Sequence, residues 1–297
     1  MTENSYREFI ERIILQLKSM TEKKIITRPV TKNNGVQMDA VILQTEGEKI
    51  APTIYLNEYY QQYLTGEELE HIAEQIIWLS EQKMEKDFDT RQFLDFAQAK
   101  QHILFKIVHA KRNEELLKEI PYKPFLDLAV VFYYFVPEEG VNASILIRNE
   151  HKNLWGVTDD ELYELAIQNT PKELESEIQD LNAVVAEIFA GMPELEEEGI
   201  ADDSAPMYVV TNKKKYFGAV CMLYPGLLKT FAEMQDCDFY ILPSSIHELL
   251  LVPTGMADAE GLTTMVREVN ETQVAEEELL SDHVYLYKRE KDEILDV

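Results

Sequence analysis

Asn33-Asn34-Gly35 stands between two β-rich runs, Lys24–Thr31 and Val36–Leu43. Asn and Gly accept the left-handed backbone of a tight turn, so the two runs are predicted to fold back on each other as antiparallel strands. Glu46-Gly47-Glu48 repeats the signal and adds Lys49–Leu56 as the third strand of a meander. Pro29 and Pro52 suit edges or strand starts, because proline has no N–H for a central ladder. Ahead of the meander, Ser5-x-x-Glu8 has the form of a capping box. Phe9, Ile10, Ile13, Ile14 and Leu17 follow at helical spacing, which predicts an amphipathic helix over 5–20.

Helices and hairpin-like pairs then alternate along the chain. Asn57 is a candidate cap for a short segment holding Tyr59, Tyr60 and Tyr63. Thr65-x-x-Glu68 opens a longer helix with Leu69, Ile72, Ala73, Ile76, Ile77 and Leu79 on one face. A helix near Thr90–Ala99, a strand near His102–Val108 and a short helix near Asn113–Glu119 lead to Pro121 and Pro124. Leu126–Val136 reads as a strand, followed by the turn Pro137–Gly140 and a second strand, Ala143–Arg148. Thr158-x-x-Glu161 opens a helix over Asp159–Gln168. Pro171 suits the first turn of another helix, running to Gly191, and Met192–Pro206 forms an acidic connector. The strand Met207–Thr211, a helix over Gly218–Gln235 kinked at Pro225, strands Phe239–Leu242 and Leu249–Val252, a helix Ala259–Glu271 and a strand His283–Tyr287 complete the order. This mixture predicts an α+β fold with antiparallel-rich sheets in two subdomains. The first covers 1–120; the second covers 121–297 and contains the acidic helix and connector, 159–205.

Charge bounds the function. The net charge is −27, and Asp159–Asp203 holds 15 acidic residues against the single base Lys172. Such a field governs steering and partner choice and points to a basic protein partner. It argues against direct nucleic-acid binding, which needs Lys and Arg to neutralise phosphates. No apolar run approaches the ~18 residues of a membrane span, and Met1–Ser5 has no basic leader, so a cytoplasmic location is expected. Cys221 and Cys237 fit neither a metal knuckle nor a disulfide framework. The 11 glycines are dispersed, with no phosphate-cradling loop, and no cofactor is expected.

Three sets of residues are candidate sites. Ser244, Ser245, His247 and Glu248 form a dense polar group between two apolar strands, with Ser245 and His247 on one face of an extended chain. A nucleophile with its base would look like this, although no Gly-x-Ser-x-Gly elbow accompanies it. Glu67, His71 and Glu74 lie within reach of one another on a helix and would offer ligands to a cation, without a His-Glu-x-x-His pattern. Glu173, Glu177, Asp180 and Glu187 form a stripe on the helix expected after Pro171. With Glu196, Glu197 and Glu198 they make an acidic interaction surface. The basic triplet Lys213-Lys214-Lys215 reads first as a hairpin tip, with pairing to the acidic connector or contact with an acidic partner as the alternatives.

Several segments carry a resemblance: Lys32–Val36, Ala51–Leu56 with Tyr59-Tyr60, Pro124–Ala129 and Ile241–Glu248. Together they resemble an uncharacterised domain-of-unknown-function family of Clostridia-type Firmicutes, over nearly the whole chain. The second half is distantly similar to YtpQ-like proteins, through Trp155-Gly156-Val157, Leu223-x-Pro225-Gly226-Leu227-Leu228, Leu249–Val252 and Leu280-Ser281-Asp282. The resemblance implies one coherent bacterial cytosolic α+β fold and carries over no catalytic residue. The sequence therefore reads as a non-catalytic acidic interaction or regulatory protein. The alternatives are a hydrolase built on the 244–248 loop and a nucleic-acid mimic that inhibits a basic nucleic-acid-binding protein.

Overall fold

A computed structural model describes residues 3–45, 51–81, 90–136, 144–183, 206–243 and 245–297. The chain divides into one unit of Met1–Asp89 with Glu138–Val141, and another of Thr90–Pro137 with Asn142–Val297.

In the first unit, helix α1 (Glu3–Met20) precedes β1 (Lys24–Thr31), β2 (Gln37–Gln44) and β3 (Ile54–Tyr55), then α2 (Leu56–Leu64) and α3 (Leu69–Glu81). The strands form an antiparallel sheet in the order β1-β2-β3, with Lys24 opposite Gln44 and Thr31 opposite Gln37. Asn34 and Gly35 take φ of 60° and 74° in the turn, which is what the sequence predicted of them. Pro29 lies on the edge strand. Phe9, Ile13 and Leu17 of α1 meet Val41 and Leu43 of β2 and Ile72, Ala73 and Ile76 of α3 in one apolar cluster.

Three local expectations change here. Ser5 lies inside α1, where its Oγ shares a 2.7 Å hydrogen bond with Tyr60 Oη instead of capping the helix. Asn57 is the second residue of α2, and its Oδ1 accepts the Asp39 N–H at 3.0 Å. Thr65 closes α2, donating to Gln62 O at 2.8 Å, and does not open α3.

The second unit contains α4 (Thr90–Leu94), α5 (Phe96–Ala99), β4 (Ile103–His109), α6 (Glu114–Leu117), β5 (Tyr122–Phe125), β6 (Leu128–Phe135), β7 (Ser144–Leu146), α7 (Asn149–Trp155), α8 (Asp159–Glu173) and β8 (Ser176–Asp180). It continues with β9 (Tyr208–Asn212), a 3₁₀ segment (Gly218–Leu223), α9 (Leu227–Gln235), β10 (Phe239–Leu242), β11 (Leu249–Pro253), α10 (Ala259–Thr272), β12 (Tyr285–Lys288) and β13 (Glu293–Asp296). In one sheet β6 pairs with β4 along one side, and with β5 and β7 end to end along the other. Every residue of β6 is buried, which explains its unbroken apolar sequence. The other sheet is antiparallel throughout, in the order β13-β12-β10-β11-β9-β8. Residues of both sheets, α8, α9 and the 3₁₀ segment share one core, including Phe105, Phe132, Leu162, Cys221, Phe231 and Tyr285. Position 120 falls between β4 and β6, which pair directly from Ile103↔Tyr134 to His109↔Leu128, so the expected boundary there lies inside one sheet.

The single helix expected over 171–191 is interrupted: 171–173 close α8, 176–180 form β8, and 181–183 are helical again. Thr158 caps α8 through the Glu161 N–H at 3.2 Å, and the helix runs on to Glu173 with Pro171 in its last turn. Pro171 has no N–H to return to the preceding turn, and the helix ends two residues later. Thr170, fully buried, donates to Ala166 O at 2.7 Å and accepts the Phe105 N–H at 3.1 Å, fastening this end of α8 to β4. Residues 176–180 then pair with β9, from Ser176↔Asn212 to Asp180↔Tyr208. Leu174 and Ile178 are four apart, an even spacing that puts them on one face of a strand as readily as of a helix. Tertiary pairing decides between the two.

Candidate functional site

The 245–248 loop is held by backbone bonds. Ile246 N–H donates to Glu278 O at 2.8 Å, Ala219 N–H to Ile246 O at 3.2 Å, and Thr211 Oγ1 to His247 O at 2.8 Å. Ser245 bridges to Leu279, and its Oγ accepts the His247 backbone N–H at 3.1 Å, the geometry of a serine turn. The His247 ring stacks on Phe217 at 5.9 Å, with Nε2 3.6 Å from a Glu278 carboxylate oxygen. The hydroxyl is thus engaged by a main-chain amide, and the imidazole faces Phe217 and Glu278. Glu248 is exposed, and Ser244 lies outside the described residues.

His71 Nδ1 bonds the Glu67 carboxylate. Among the described residues no group of three or more His, Cys, Asp or Glu side chains is arranged to hold a metal ion, so Glu74 does not complete a set with them.

Half of the acidic stretch that is described pairs with lysines in cis. Lys123 pairs with Asp160, Lys152 with Asp159 at 2.6 Å, Lys214 with Glu173 at 2.5 Å and Lys213 with Glu175 at 2.8 Å. Glu161 belongs to the capping box, and Asp180 accepts the N–H groups of Asn182 and Ala183. Exposed pairs of this kind add about 0–1 kcal/mol each to stability, and each offsets the local negative field. Glu173 ends a helix while Glu177 and Asp180 sit on β8, so the stripe predicted on one helix is not formed. Glu187, Glu196, Glu197 and Glu198 lie outside the described residues.

A different place gathers polar groups from distant parts of the second unit. A pocket of about 360 Å³ is lined by Arg112, Arg267, Asn270, Glu271, Glu276 and Asp282, with Val274 and Leu279 as its apolar wall. Arg267, Asn270 and Glu271 follow the i, i+3, i+4 spacing of one face of α10, and Val274 lies just past its end. Asn270, only 4% exposed, donates from Nδ2 to Ser281 O at 2.9 Å and to Asp282 Oδ1 at 2.8 Å. Both partners are acceptors, which fixes the amide's orientation. Its Oδ1 has no hydrogen-bond partner among the described residues. Near this wall Asp127 accepts from Ser281 Oγ at 2.7 Å and from Tyr285 Oη. Burial, reinforced by the Asp127 carboxylate, pushes the Tyr285 phenol well above its ordinary range. His109, at the end of β4, has a buried Nδ1 without a partner, and desolvation lowers its pKa against the opposing pull of Asp127.

None of Arg112, Arg267, Asn270 and Asp282 stands out as a motif in the sequence. The signals within reach were Asp127, the one charge interrupting the apolar run 126–136, and Leu280-Ser281-Asp282. Cys221 is fully buried, with burial pushing its thiol up to about 12.

The family of unknown function DUF5688 matches residues 6–289. The chain belongs to that family. No curated protein and no solved structure matches it. The match spans both units, as the resemblance in sequence implied, and no helix among the described residues is long and apolar enough to cross a membrane.

Proposed function

We propose that the protein acts without catalysis, as a cytoplasmic interaction or regulatory protein that offers an acidic surface to a basic protein partner. One observation carries this reading: residues 268–282 hold six acidic side chains and no Lys or Arg, and Glu268, Glu271, Glu276 and Glu278 are exposed. In the 245–248 loop the Ser245 hydroxyl accepts a main-chain N–H and the His247 ring stacks on Phe217, which supports binding over turnover. Glu177 and Asp180 are further acidic contacts in the same proposal, and Glu187 and Glu196–Glu198 enter it by sequence alone. A Clostridia-type bacterial source and a kinship of the second half with YtpQ-like proteins belong to the same proposal.

Exposed charges are screened beyond about 8 Å at physiological ionic strength. Immobilised protein is therefore expected to capture a basic protein from source lysate at low salt and to release it as salt rises. Capture that is indifferent to salt contradicts the reading.

A further inference from the structure

We propose that the pocket between α10 and the turn after β4 binds a free amino acid with an apolar side chain, recognising both of its charges. This goes beyond the protein-partner reading and does not depend on it. The lining is mixed in sign: Arg112 and Arg267 stand beside Glu271, Glu276 and Asp282. A simple polyanion such as phosphate gains from two guanidiniums but meets three carboxylates, and a simple amine meets the reverse conflict. A zwitterion satisfies both sets, with its carboxylate on the guanidiniums and its ammonium on the carboxylates.

The arginines remain available for this. Arg267 has no ion-pair or hydrogen-bond partner among the described residues, and Arg112 lies 3.7 Å from Asp282, a loose pair with both side chains about a third exposed. Asn270, on the same wall, keeps an acceptor oxygen unpaired although its amide nitrogen is fully used. Val274 and Leu279 provide the apolar contact for a side chain. A volume of about 360 Å³ is at the small end of ligand pockets, which suits a single amino acid over a larger metabolite.

The test is a calorimetric titration of the full chain with L-leucine, 4-methylpentanoate, 3-methylbutylamine and inorganic phosphate. The last three keep the carboxylate with the side chain, the amine with the side chain, and anionic charge alone. Saturable 1:1 binding of L-leucine is expected, with a Kd of about 1 mM or tighter. The other three should bind at least about tenfold more weakly, the step that the loss of one charge-assisted contact produces. Arg267→Gln and Glu271→Gln, both exposed helix positions, should each weaken leucine binding about tenfold while leaving the melting temperature unchanged. Failure of L-leucine to saturate overturns the proposal. So does phosphate or 4-methylpentanoate binding as tightly as L-leucine, or full affinity in both folded variants.

Discussion

Replacing Asp127 by Ala removes the acceptor of both Ser281 Oγ and Tyr285 Oη, two hydroxyls on residues with no exposed surface. Stranding two buried donors is expected to cost about 3 kcal/mol, whereas Tyr285→Phe, which removes one donor and leaves Asp127 its serine, should cost about 1 kcal/mol. Urea unfolding of the two variants checks the ratio; equal losses would show that Asp127 does not organise this cluster. Titration gives a second residue-scale expectation. Burial lowers the pKa of His102, His109 and His151 below the ordinary value of 6.5. Their neutral forms are therefore favoured by folding. That contribution is complete above pH 6.5 and is lost as pH falls toward the depressed folded values, because the unfolded chain then binds more protons. Carboxylates titrate near pH 4, so the relief of negative repulsion comes later. Stability is expected to fall as pH is lowered from about 6.5 toward the carboxylate range, and His109→Gln should flatten that slope. A melting temperature that rises over this interval in the parent protein counts against it.

At the scale of elements, the start of the 3₁₀ segment shows how closely the 245–248 loop is built in. A Cβ on Gly218 would stand 2.1 Å from Thr211 Oγ1, 2.3 Å from His247 O and 2.9 Å from Thr211 Cα. Two of those three atoms are backbone and cannot swing aside. Gly218→Ala is expected to destabilise by about 3 kcal/mol or more, measured by denaturant unfolding, and a neutral result would mean the loop is not clamped there. The elements legible in the sequence were those whose signals are local. The Asn-Gly turn gave the β1–β2 hairpin, Thr158 and Glu161 gave the start of α8, and period-3.6 runs gave α1 and α3. Strand β8 was not legible because Leu174 and Ile178 satisfy both periods, and its partner β9 lies beyond a long intervening segment. Strand β5 contains Pro124 and takes its form from pairing with β6. Helix α7 has no buried residue to give it a period, and β13 is a short edge strand of mixed polarity. The pocket was illegible for the same reason: its residues come from the turn after β4, from α10 and from the segment before β12, and only the fold brings them together.

At the scale of the molecule, residues 90–297 carry 39 acidic side chains against 18 basic ones, so the excess belongs mainly to the second unit's sequence. The sequence located that excess in 159–203, and the structure shows lysines reaching the first part of it from 123, 152, 213 and 214. Residues 268–282 contain no Lys or Arg, and Arg112 lies 3.7 Å from Asp282 and His247 3.6 Å from Glu278. Neutralising Glu268, Glu271, Glu276 and Glu278 to Gln removes only four of the 27 surplus negative charges and none of the buried core. It therefore separates where the charge lies from how much there is. Capture of the basic partner by this four-Gln variant, measured beside the parent protein at low salt, is the most direct test of the account. Loss of most of the captured partner, with unchanged thermal stability, is the predicted result; undiminished capture would contradict it.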